Sequence, residues 1–134
     1  MINLELGLNE VALTLSENTT ITNPYYIFSF YSASTKTTKY FTSTDLNKGT
    51  EIEYRFNKFS IELVEDLAHE DINNGKIYLS EQGFYEYTIY AQESLSFPPD
   101  ANAEIVEYGR VFYGFNEATI TSYSPDIETI VYNG

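Results

Sequence analysis

Gly83-Phe84-Tyr85-Glu86-Tyr87-Thr88-Ile89-Tyr90 decides the fold. Its alternation sends Tyr85, Tyr87 and Ile89 to one face, the two-residue period of a half-buried strand and not the 3.6-residue stripe of a helix. Upstream, Leu79 stands six residues before Tyr85, Glu81 four before and Gly83 two before. This is the spacing of the turn into strand F of an immunoglobulin-like sandwich, where a Tyr hydroxyl closes the corner by bonding backbone upstream. Leu79, Gly83, Tyr85 and Tyr87 are therefore expected to form a structural corner. Tyr87 then takes the place of an antibody domain's disulfide cysteine, and this chain has no cysteine.

Nearer the N-terminus, Asn23-Pro24 punctuates the chain before Tyr25-Tyr26-Ile27-Phe28-Ser29-Phe30-Tyr31. There Tyr26, Phe28 and Phe30 share one face and Ile27 and Tyr31 the other, so the strand is apolar on both sides and expected to be central. A Ser34 to Thr37 turn leads into Lys39-Tyr40-Phe41-Thr42, the return arm of a hairpin. Tyr54 and Phe56 precede the strict alternation of Phe59, Ile61 and Leu63, Asn73-Asn74-Gly75 signals a turn, and Ile77 and Leu79 begin the next strand. Ile105 to Tyr113 completes the sandwich, with Gly109 as a bulge candidate. At the start, Ile2, Leu4, Leu6 and Leu8 occupy even positions and Val11, Leu13 and Leu15 odd ones. The parity slips at Asn9-Glu10, as when a first strand bulges or crosses between sheets. Only Val64 to Ile72 has a helical pattern, and it is short.

Composition agrees. Thirteen Tyr and nine Phe in 134 residues, with no Trp, suit pleated surfaces. Most of the tyrosines are expected in the core. The length fits one domain, all-β, an immunoglobulin-like β-sandwich over residues 1–113. Residues 114–134 follow the last strand and carry Phe115, Ile120, Tyr123, Ile127, Ile130, Val131 and Tyr132. A disordered tail is poorer in such residues, so this is expected to be an extended C-terminal arm that docks on a partner.

Charge narrows the partners. Seven Lys and Arg against 20 Asp and Glu leave −13, and residues 77–134 hold nine acids with one base, Arg110. Nucleic acid is not expected, because phosphate binding is driven by Lys and Arg. The opening MINLELGLNEVAL has no positive n-region and no apolar run reaches a membrane span, so a soluble, unprocessed chain without a membrane partner is expected.

Chemistry is sparse. The single His69 sits in Glu65-Asp66-Leu67-Ala68-His69-Glu70-Asp71, a charged loop, and no nucleophile elbow, P-loop or dinucleotide fingerprint occurs. Spacing singles out no carboxylate pair for glycoside hydrolysis. Two D-x-N-x-G segments, Asp45 to Gly49 and Asp71 to Gly75, resemble the start of a calcium loop, and Glu51 would complete the first. Tight-turn chemistry accounts for both, so no metal, no cofactor and no enzymatic activity are expected.

Taken together, the segments Asn23 to Phe30, Tyr54 to Ile61, Gly83 to Gln92 and Val106 to Val111 resemble, in order and rough spacing, a family of small β-sandwich virion structural proteins of tailed phages. The family includes crAss-like phages that infect Bacteroidetes. The resemblance spans about residues 10–113, none of its motifs is catalytic, and residues 114–134 depart from it. It implies a non-enzymatic structural component present in many copies per particle, first of all an auxiliary capsid (decoration) protein bound to the major capsid protein. Such a protein is made in the host cytoplasm and located in the virion. The alternative is an adhesin or fibre-type module that recognises host carbohydrate or protein.

Overall fold

The computed structural model describes residues 1–49 and 56–114. Among these described residues, eight strands run in the order β1 (Ile2–Leu4), β2 (Gly7–Leu13), β3 (Tyr25–Ser32), β4 (Thr37–Thr42), β5 (Asn57–Leu63), β6 (Lys76–Ile77), β7 (Gly83–Gln92) and β8 (Glu104–Tyr113). They form a five-stranded sheet, β1-β8-β7-β3-β4, and a three-stranded sheet, β2-β5-β6. With β2, β3, β5, β7 and β8 taken as strands B, C, E, F and G, the pairings B–E, C–F and F–G are those of an immunoglobulin-like sandwich. The fold is all-β, as the alternation in β5 and β7 leads one to expect.

Aromatic residues fill the space between the sheets. Phe28 of β3 stacks on Phe41 of β4 with ring centroids 5.0 Å apart, and meets Phe59 of β5 edge-on at 5.1 Å. The last contact joins the two sheets. Phe28, Phe41, Phe59, Ile61 and Ile89 are all buried, each worth roughly 1.5–3 kcal/mol in area removed from water.

The start of the chain does cross between sheets, but earlier than the parity slip indicates. β1 runs parallel to β8 in one sheet and β2 antiparallel to β5 in the other, so the crossing falls at Glu5-Leu6. Leu6 and Leu8 are consequently exposed, although they continue the alternation of Ile2 and Leu4. Gly7, with φ +100°, makes the bend, and Asn9 clasps it. The Asn9 Oδ1 accepts from the Glu5 N–H at 3.0 Å, and its Nδ2 donates to the Glu5 carbonyl at 2.9 Å and the Ile61 carbonyl at 3.2 Å.

Other expectations are corrected in detail. The extra residue in β8 is Val106, where Ile89 faces Glu107 and Tyr90 faces Ile105, so Gly109 is not a bulge. β6 ends at Ile77, leaving Leu79 buried but outside any strand. Val64 to Ile72 holds one 3-10 turn, Leu67–His69, capped by the Asp66 carboxylate.

Candidate functional site

The corner is assembled from the segment that opens β7. Gly83, at φ +130°, starts the strand in a conformation that L side chains rarely adopt. Two residues on, the Tyr85 hydroxyl donates to the Glu81 carbonyl at 2.6 Å, tying the strand to the turn before it. Leu79 and Tyr85 both belong to the buried cluster. Tyr87 points the same way, its ring against Gly109 of β8 and its hydroxyl donating to Glu107 Oε2 at 2.6 Å. Burial pushes both phenols above their ordinary pKa; the Glu81 carbonyl opposes this at Tyr85, and the Glu107 carboxylate adds to it at Tyr87. These hydroxyls are structural donors held neutral, each with one acceptor.

The aspartates that open the two calcium-like segments are hydrogen-bonded within the chain, and Glu51 lies outside the described residues. Asp45 is buried; its Oδ1 accepts from the Asn47 and Lys58 N–H groups at 3.0 Å each, and its Oδ2 from Asn57 Nδ2 at 2.7 Å. Asn57, wholly buried at the head of β5, accepts from the Leu15 N–H at 2.8 Å and the Ser16 N–H at 3.1 Å. Asp45 and Asn57 thus lace three segments together where the small sheet begins. Asp71 receives the Asn73 N–H at 3.3 Å and Asn74 Nδ2 at 2.8 Å, an ordinary Asx turn. Among the described residues, no group of three or more acids and histidines is placed to hold a metal ion.

His69 lies exposed with Nδ1 2.6 Å from Asp66 Oδ1, an arrangement that holds the Asp66 carboxyl below its usual pKa. At the far end of β8, Glu104 grips the 19–20 loop. Its carboxylate accepts from the Thr19 and Thr20 hydroxyls at 2.6 Å each and from the Thr20 N–H at 3.0 Å, and these donors lower its pKa. Both pairs fasten loops.

The seven apolar residues of the expected arm, Phe115, Ile120, Tyr123, Ile127, Ile130, Val131 and Tyr132, lie outside the described residues, as does Tyr54. What the sequence reading missed is on the outside of the larger sheet. Of the ten tyrosines among the described residues, Tyr26, Tyr85, Tyr87 and Tyr113 are buried and the other six are not. Among the described residues, then, fewer than half of the tyrosines fill the core. Period two sends alternate residues of β3, β7 and β8 outward, and Tyr31, Tyr90 and Tyr108 occupy those outward positions.

Comparison of the chain with protein-family models, curated proteins and solved structures gives no significant match.

Proposed function

We propose that the chain is a non-enzymatic structural protein of a tailed-phage virion, an auxiliary capsid protein that decorates the shell in many copies. The observation that carries this reading is where the resembling segments fall. Tyr25 to Phe30 lies in β3, Asn57 to Ile61 in β5, Gly83 to Gln92 is β7, and Val106 to Val111 lies in β8. The likeness therefore rests on the strands that build the sandwich itself. A decorating protein needs a rigid body and a peripheral segment that reaches its neighbour. The described buried polar groups are spent on holding that body together: Asp45 and Asn57 on the small sheet, Gln92 on closing the loop to Asp100. Residues 115–134, with their seven apolar side chains, are assigned to the neighbour, a major capsid protein.

The experiment is decoration by truncation. Chain ending at Gly114 is compared with full-length chain for binding to phage particles that lack the protein. Full-length chain should bind, and the truncated chain should remain folded but fail to bind. Equal decoration by the two, or unfolding on truncation, removes the assembly role of the arm.

A further inference from the structure

We propose that the outer face of the five-stranded sheet is a self-association surface, on which a second copy of this chain docks. The two outer faces of the sandwich differ in kind. On the small sheet the outward positions are Leu8, Glu10, Ala12, Lys58, Ser60 and Glu62, with Lys58 and Glu10 paired at 3.2 Å. On β7 and β8 they include Phe84, Tyr90, Ile105, Tyr108 and Phe112, and register brings Tyr31 and Tyr40 alongside from β3 and β4. Tyr108 is 78% exposed, Ile105 60% and Phe84 56%. Phe84 packs on Phe112 with centroids 5.0 Å apart, and the Arg110 guanidinium lies 5.2 Å from the Phe84 ring centre. Tyrosine, phenylalanine and arginine with few acids or lysines is the composition of buried interface centres. The smaller sheet's outer face is instead charged, as a face washed by water is.

Charge and size argue for a second copy. The chain carries −13, so two copies repel over most of their surfaces. On β3, β4, β7 and β8 the only charged outward residues are Glu86 and Arg110, which face each other in register and cancel. Among the described residues no ion pair joins them, since Arg110 leans over Phe84. Across a two-fold axis along the β7/β8 seam, each copy's Glu86 meets the other's Arg110, the self-complementary pattern of an isologous interface. At about 4.8 Å per strand and 3.3 Å per residue, the four longer strands present on the order of 600 Å². Two such faces give roughly 1,200 Å², just inside the range of specific interfaces, so the dimer is a weak one. The inference stands apart from the capsid assignment, because pairing in solution is measured without any particle.

The test is sedimentation equilibrium of the full chain from micromolar to several hundred micromolar at physiological salt. The wild type should be a concentration-dependent dimer. Tyr108→Lys and Ile105→Lys should each raise its dissociation constant roughly tenfold or more, with the melting temperature unchanged at dilutions where the wild type is a monomer. Leu8→Lys, an equally exposed change on the other sheet, should leave it unaltered. A monomeric wild type, or a Leu8→Lys effect as large as that of Tyr108→Lys, overturns the proposal. So does a monomer whose Tyr108 resonances shift with neutral oligosaccharide, which would make the face a glycan platform.

Discussion

The ring of Tyr87 lies against the bare backbone of Gly109, where a Cβ would stand 2.9 Å from the Tyr87 Cε1 and 3.1 Å from its hydroxyl. The glycine is thus the complement of the tyrosine ring. Gly109→Ala must push a buried ring off its place and should cost about 1–3 kcal/mol, as overpacking does. Urea denaturation checks this. A midpoint equal to wild type would mean that the ring moves freely and the pair is not a packing constraint.

Tyr85 separates ring from hydroxyl. Tyr85→Phe removes only the bond to the Glu81 carbonyl and should cost about 0.5–1.5 kcal/mol, whereas Tyr85→Ala should cost about 3–5 kcal/mol. Two variants of equal stability would show that the ring contributes nothing beyond its hydroxyl.

Alkaline pH should loosen the sandwich. Tyr85 and Tyr87 have folded pKa values raised above that of the unfolded chain, so the unfolded state gives up its phenolic protons first. Their contribution is whole below about pH 10 and is lost as the pH rises from there. Between about pH 9 and about pH 11 the denaturation midpoint should fall less steeply in Tyr87→Phe than in wild type. Parallel slopes would rule out Tyr87 as a source of the loss.

The Asp45 carboxylate has three nitrogen donors around it. Asp45→Ala removes the carboxylate that accepts from all three, two of them backbone N–H groups, and should cost roughly 2–4 kcal/mol. Excess calcium should leave the wild-type melting temperature where chelator leaves it, because binding to the folded state would raise it by mass action. A calcium-dependent rise of several degrees would show that the loop gives up these bonds to a cation.

Much of the sandwich was legible because strands buried on one face write their orientation into alternate residues. Phe59, Ile61 and Leu63 are buried as their spacing predicts, and Gly83 begins β7 where the corner spacing puts it. The sheet crossing was harder to place. Alternation records which side a residue faces, but not in which sheet, so Leu6 and Leu8 looked like a continuation of Ile2 and Leu4. The signal was Asn9, a short polar side chain able to bond the bent backbone. Gly109 is ambiguous in the sequence because a glycine in a strand serves equally as a bulge or as room for a neighbour's ring. Asp45 and Asn57 were hidden for a different reason: a buried polar pair leaves no apolar pattern. Tyr90 and Tyr108 count toward the core by composition alone, which tallies aromatic residues without assigning them a face.

The virion assignment is tested most directly by quantitative mass spectrometry of purified particles from a phage whose genome encodes this chain. A decoration protein should appear in stoichiometric proportion to the major capsid protein and remain with particles through gradient purification. Absence from such particles, or a handful of copies that track the tail fibres instead of the shell, would contradict the assignment.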